Sequence, residues 1–136
     1  MIIDQTRAEE LLELAREAAR LAYAPYSKFH VGAMLLARDG TLYRGCNVEN
    51  SSFGLTICAE RTAAVTAIAD GNRDWSAIAI VSPTSVPPCG ACLQFLSEFS
   101  QTLEIWIAAL DPDQPTRVCR ISDLLPASMH LDIPTE

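Results

Sequence analysis

Ala77-Ile78-Ala79-Ile80-Val81-Ser82-Pro83-Thr84-Ser85-Val86-Pro87-Pro88-Cys89-Gly90-Ala91-Cys92 is the stretch on which the fold turns. Residues 77–81 are apolar on both faces of a strand, the pattern of a central strand in a covered sheet. The Pro- and Ser-rich run from Pro83 to Pro88 breaks that pattern into a loop. From about Cys89 to Phe99, Leu93, Leu96 and Phe99 recur on one helical face. Leu103 to Leu110 then reads as another strand. Strand, helix and strand in that order predict an α/β layered domain.

The same reading extends in both directions. Thr6 with Glu9 forms a capping-box pattern, and Leu11, Leu14, Ala15, Ala18, Leu21 and Ala22 follow at helical spacing until Ala24-Pro25-Tyr26-Ser27. Val31 to Ala37 and Thr41 to Val48 read as two strands joined at Asp39-Gly40, a hairpin signal. Glu49 to Thr56 is loop, and a helix runs from about Cys58 to Asp70 before Gly71-Asn72. Downstream, Asp111-Pro112-Asp113 turns the chain into a short strand at Thr116 to Cys119, then a helical turn at Ile121 to Leu125. The chain has no internal repeat and no dividing linker, so residues 1–136 read as a single domain.

Composition narrows the class. The chain is 49% hydrophobic and 20% charged, as in proteins with a well-formed core. Ten Lys+Arg against 17 Asp+Glu give a net charge of −7 with no basic run, which argues against a polynucleotide partner. Met1-Ile2-Ile3-Asp4 leads into an acidic helix pattern, and no apolar run is long enough to span a bilayer, so a membrane role is not expected and a cytoplasmic location is. Five cysteines in such a chain point to metal or catalysis before disulfides. Cys46 and Cys119 fit buried small hydrophobes.

The other three cysteines carry chemistry. Cys58-Ala59-Glu60-Arg61 lies about thirty residues before Pro88-Cys89-Gly90-Ala91-Cys92. Three thiolates can hold one Zn²⁺ and leave its fourth position for water, the mark of a catalytic rather than a structural site. Thiolate ligands and non-redox hydrolysis favour zinc over iron. Cys-x-Glu followed by Pro-Cys-x-x-Cys is a signature of zinc-dependent deaminases, in which a Glu off the metal moves the protons. Glu60 is the residue for that role: hydroxide generated at the zinc attacks an amine-bearing ring carbon, while Glu60 carries protons to the ring nitrogen and the leaving amine. Both motifs open helices, whose N-terminal dipoles favour thiolate. Three thiolates on one Zn²⁺ leave an excess negative charge, and Arg61 is the candidate to compensate it by donating to sulfur.

With these residues in view, the chain resembles the short-chain, homotetrameric, zinc-dependent cytidine deaminases. The likeness runs through Pro25-Tyr26-Ser27-Lys28-Phe29-His30-Val31-Gly32-Ala33, Gly45-Cys46-Asn47-Val48-Glu49-Asn50, Ile57-Cys58-Ala59-Glu60-Arg61-Thr62, Pro88-Cys89-Gly90-Ala91-Cys92-Leu93-Gln94 and Leu124-Leu125-Pro126. The resemblance implies a three-layer α-β-α sandwich around a mixed five-stranded sheet, and one zinc per subunit. It implies a homotetramer whose active sites are shared between subunits. It implies that Asn47 and Glu49 bind ribose hydroxyls, that Phe29 lines the base pocket, and that the main chain at Ala59 and the Glu60 carboxyl read the pyrimidine edge. The implied reaction is hydrolytic deamination of free cytidine and deoxycytidine to uridine and deoxyuridine, in pyrimidine salvage. Without the resemblance, Asn47 and Glu49 read more readily as loop caps and Phe29 as a core aromatic.

The chain departs from that family's pattern in two places. Leu93 stands where many relatives carry Arg, which leaves more of the thiolate compensation to Arg61. Met129 stands near where relatives often carry a Phe that reaches a neighbour's base pocket. The alternative substrate is another aminopyrimidine nucleoside such as blasticidin S; the Asn47-x-Glu49-Asn50 run favours an ordinary ribose. A non-catalytic zinc module is the reading from another class. It would need a fourth ligand such as His30 or Cys46 and would have no use for Glu60.

Overall fold

Alternate residues of the sheet strands point to opposite faces, and both faces of this chain's sheet are apolar. The computed structural model describes residues 2–133; Met1 and residues 134–136, the two ends of the single-domain reading, lie outside them. The elements are α1 (Gln5–Ala19), β1 (Gly32–Ala37), β2 (Leu42–Cys46), α2 (Ala59–Ala69), β3 (Trp75–Ser82), α3 (Gly90–Ser97), β4 (Glu104–Ala109), β5 (Arg117–Arg120) and α4 (Ile121–Leu124). The sheet order is β2-β1-β3-β4-β5. Only β3 and β4 pair in parallel, across the α3 connection; the other neighbours are antiparallel. This is the α/β layering that the sequence predicts and the mixed five-stranded sheet that the resemblance implies.

One face carries Met34, Leu36, Ala77, Ala79, Val81, Trp106 and Ala108, against which α1 packs Ala8, Leu11, Leu12 and Ala15. The other carries Ala33, Leu35, Ile78, Ile80, Ile105 and Ile107, covered by Ala59, Ala63, Ala64 and Ala67 of α2 and Leu93 and Leu96 of α3. Helices approach closely because small residues meet small residues. A Cβ built on Gly45 of β2 would lie 2.3 Å from the Ala59 carbonyl oxygen and 2.5 Å from the Ala63 nitrogen. That close approach of β2 to α2 sets the first turn of α2, where the Cys-x-Glu motif sits, against the sheet.

Three boundary expectations are corrected. The N-cap of α1 is Asp4, whose Oδ1 accepts from Arg7 N at 2.8 Å, and not Thr6. A carboxylate at the N-cap satisfies a helix-end donor and also faces the positive dipole end, so it wins over the hydroxyl two residues on. The helix ends at Ala19, and Leu21 is 57% exposed rather than on the buried face. The chain leaves the helix because Tyr23 N donates to Asn47 O at 3.0 Å and Glu49 N to Tyr23 O at 2.8 Å. Val48 likewise leaves β2 and exchanges two backbone bonds with Ile57, each 2.9 Å. These side bridges bring residues 23–31, 47–49 and 57–60 together.

Candidate active site

Each cysteine of the two motifs is positioned by a helix start. Cys58 is the N-cap of α2 and Cys89 the N-cap of α3, while Cys92 lies in the first turn of α3 and is fully buried. The Sγ atoms of Cys58, Cys89 and Cys92 all lie within 4.8 Å of one another, and Cys58 and Cys89 are 3.9 Å apart. Sulfurs on a tetrahedral zinc with Zn–S bonds of 2.3 Å sit about 3.8 Å apart, so the three thiols fit that ion. Among the described residues no His, Asp, Glu or further Cys joins this group. His30 and Cys46 therefore do not close it, and a closed structural site is not what these residues form.

Charge in the cluster is organised around Cys58. Its thiol is lowered to about 5, first by a hydrogen bond from the Cys92 thiol and then by the Arg61 guanidinium, against the opposing effect of burial. Arg61 Nη2 lies 3.5 Å from Cys58 Sγ. Cys92 moves upward because it is the donor to Cys58 and is buried, so in the metal-free cluster a proton stays on Cys92. Zinc binding must displace such protons. Arg61 Nε is buried with no hydrogen-bond partner among the described residues.

Glu60 is 4% exposed. Burial raises its carboxyl above the ordinary value, and the neighbouring Cys58 charge raises it further; a hydrogen bond from Cys92 works the other way. A carboxyl that holds its proton more tightly than usual, beside a cluster suited to a metal, is placed for proton transfer.

A cavity of about 340 Å³ opens onto this cluster, lined by Ser27, Phe29, Val31, Asn47, Glu49, Thr56, Cys58, Ala59 and Glu60. All four residues singled out for substrate binding line it together with Glu60 and one cysteine. Asn47 accepts from Val31 N at 2.9 Å through Oδ1 and donates from Nδ2 to Phe29 O at 2.8 Å, which by count leaves one amide hydrogen for a ligand. Glu49 Oε1 accepts from Tyr26 N at 2.9 Å and Ser27 N at 3.2 Å, and Oε2 accepts from Ser27 Oγ. Those bonds hold Glu49 below the ordinary carboxylate range, the Ser27 hydroxyl contributing most. Both polar residues thus shape the 26–31 loop as well as face the cavity.

The sequence reading singled out neither Ser27 nor Thr56. Ser27 Oγ accepts from Phe29 N at 3.0 Å while donating to Glu49, and Lys28 between them adopts φ +61°. The available signal was the Pro25-Tyr26-Ser27 turn composition. Leu93 is 6% exposed in the core beneath α3, whereas Met129 is 63% exposed, its carbonyl accepting from Gln94 Nε2 at 2.8 Å.

Residues 5–108 match the family model described as "Cytidine and deoxycytidylate deaminase zinc-binding region". The chain is 46% identical over 117 residues to a cytidine deaminase of Sporosarcina psychrophila, covering 83% of this chain and 86% of the relative. The crystal structure of a cytidine deaminase from Burkholderia pseudomallei superposes with a TM-score of 0.85 at 46% identity, covering 89% of this chain and 98% of that one. The cytidine deaminase of Mycobacterium tuberculosis gives a TM-score of 0.79 at 40% identity, covering 90% of this chain and 97% of that one.

Proposed function

The chain belongs to the cytidine and deoxycytidylate deaminase zinc-binding family, and on that premise we propose that it hydrolyses free cytidine and deoxycytidine to uridine and deoxyuridine, releasing ammonia. The observation that carries the proposal is the joining of a three-thiol cluster, a buried Glu60 and a nucleoside-sized cavity in one place. Cys58, Cys89 and Cys92 hold the metal. Zinc, when bound there, supplies the Lewis acidity that makes water a nucleophile at neutral pH.

The remaining work belongs to the protein's own groups. Glu60 takes the proton of the attacking water, delivers it to the pyrimidine ring nitrogen, and then returns a proton to the departing amine. The bond formed is carbon to oxygen and the bond broken is carbon to nitrogen, so water in balances ammonia out. Phe29 packs on the base, and the Ala59 main chain with the Glu60 carboxyl reads the pyrimidine edge. Asn47 and Glu49 bind ribose hydroxyls, Glu49 as an ionised acceptor. Arg61 offsets the thiolate charge from one side of Cys58.

The same reading includes a homotetramer with shared active sites. Tyr26, Val48, Phe53, Leu55 and Ile57 are exposed apolar residues on the segments around the cavity, and such patches mark association surfaces. It also includes a place in pyrimidine salvage in the cytoplasm. No helix of the described residues is long and apolar enough to cross a membrane, and the free cysteines suit a reducing compartment. Blasticidin S is not favoured as substrate, since the similar proteins are named cytidine deaminases.

Mixing the zinc-loaded protein with cytidine and following the ultraviolet spectrum tests the reaction directly. The native protein is expected to convert cytidine to uridine, and Glu60→Gln to lose about 10²- to 10⁴-fold in kcat. Equal turnover by the zinc-loaded Gln variant would remove Glu60 from the chemistry.

A further inference from the structure

The three thiols are not equally supported. Cys92 is fully buried inside α3, and Cys58 follows Ile57, which is bonded on both backbone groups to Val48. Cys89 is exposed, at the end of the loop Pro83–Pro88. As the N-cap of α3, Cys89 accepts from Leu93 N at 3.0 Å through its carbonyl oxygen, and on its other side it is joined to that loop, so its position rests on both the helix start and the way the loop is held.

The loop contains Ser85 at φ +56°, a left-handed conformation in a residue that is not glycine. Such a conformation persists only where surrounding contacts impose it. Two contacts do so here. The buried Ser82 hydroxyl at the end of β3 accepts from Val86 N at 3.1 Å. From the far side, Arg117 at the start of β5 donates from Nη2 to the Ser85 carbonyl oxygen at 2.6 Å, a short charge-assisted bond. Arg117 is itself placed by the sheet, opposite Ile107 of β4. Between loop and strand lies a concavity of about 460 Å³, whose lining includes Pro83, Ser85, Asp111 and Arg117, while Pro88 at the end of the loop is buried.

We infer that Arg117 is a positioning residue of the metal site: through the Ser85 carbonyl it fixes the loop that presents Cys89 to the zinc. The inference rests on the three-cysteine zinc reading above but not on the identity of the substrate. Arg117 is not one of the three clustered thiols and does not line the cavity beside them. Its effect is to keep the Cys89 sulfur in the cluster with Cys58 and Cys92 once the ion is bound, so that geometry at the metal, rather than affinity for the nucleoside, responds to its loss.

The test uses zinc-loaded protein with Arg117→Ala and Arg117→Met, the latter keeping the apolar stem and removing the donors. Zinc release into a colorimetric chelator is timed, and the thiolate charge-transfer band is recorded after cobalt substitution. Release about tenfold faster in both variants is expected, in the range seen when groups supporting a metal ligand are lost. The cobalt band should shift, and kcat for cytidine should fall with KM nearly unchanged. Arg117→Lys, which retains a cationic donor, should recover most of the native release time. Adding Ser85→Gly, which accepts a left-handed conformation freely, should shrink the effect of Arg117→Ala. Native release rates and an unshifted cobalt band in the Met variant overturn the inference even if the Ala variant does not fold. Faster release with an unshifted band also overturns it, because that pattern belongs to general destabilisation. A protein that binds zinc and shows the release and cobalt-band effects, yet leaves cytidine unchanged, would fail the substrate proposal alone.

Discussion

Two buried glutamates sit on opposite sides of the molecule's chemistry. Glu104, on β4, is 2% exposed, and its carboxylate accepts from Ile2 N at 2.6 Å, Ile3 N at 3.4 Å and Trp106 Nε1 at 2.8 Å. Glu60, on α2, is 4% exposed, yet it faces the Cys92 thiol and the charge on Cys58. The first carboxylate ties the N-terminal segment to the sheet with its acceptors used. The second is raised by burial and stands beside a cavity. Burial alone does not make a carboxyl functional. What separates the two is whether the surrounding donors settle its charge in place.

The α1 face and the α2/α3 face differ in the same way, and this contrast can be tested by removing what only one face holds. Stripping the metal with a chelator should destabilise the protein by about 4 kcal/mol relative to zinc at a thousandfold excess over its Kd. Hydrogen exchange should localise the lost protection to the first turns of α2 and α3, with α1 and its strands unchanged. Uniform loss of protection over both faces would erase the distinction.

Glu104→Ala should cost about 1–3 kcal/mol, the desolvation penalty of leaving donors such as Trp106 Nε1 without their acceptor. Its kcat on cytidine should stay native, measured beside denaturant midpoints. Glu60→Gln should behave in the opposite sense. A carboxyl whose folded pKa is raised above 4.5 favours folding below that value and loses the contribution as pH rises through its folded pKa. At neutral pH the neutral amide is therefore expected to leave the metal-free protein as stable as the native one or more so, while turnover collapses. A large drop in the midpoint of that variant would mean Glu60 is held as Glu104 is.

The smallest effect is graded with pH. In the metal-free cluster Cys92 keeps its proton, and zinc must displace it. Zinc affinity, measured by chelator competition, should fall at least about tenfold for each pH unit below neutrality, one proton or more being displaced per ion. Below about 5 the Cys58 sulfur also binds a proton, and the dependence should steepen. A flat profile would mean the thiols are not the ligands.

Much of this was legible along the chain. The apolar run Ala77–Val81, the Asp39-Gly40 turn and the helical spacing of Leu93 and Leu96 are local patterns, and each became the element expected. Cys58, Glu60, Cys89 and Cys92 stood out because their chemistry is specific and their spacing short. The misread ends of α1 had different causes: at the start the neighbouring Asp4 carboxylate outcompetes Thr6 for the N-cap, and at the end Tyr23 is drawn away by the distant Asn47 and Glu49. Ser27 and Arg117 were invisible for a related reason. A lone serine in a turn and a lone arginine on an edge strand carry no pattern, and their meaning comes only from what they touch.

The sequence by itself determined the α/β layering and the candidates for metal ligands and acid–base group, because periodicity and donor chemistry are properties of neighbouring residues. Tertiary structure alone decided that residues from three separate stretches wall one cavity, and that burial raises the Glu60 carboxyl while hydrogen bonds lower Glu49. It also placed Arg117, on a strand 28 residues downstream of the exposed Cys89, against the Ser85 carbonyl of the loop that leads to that cysteine. Distances between groups far apart in the chain fix electrostatics and restraint, and no one-dimensional pattern contains them.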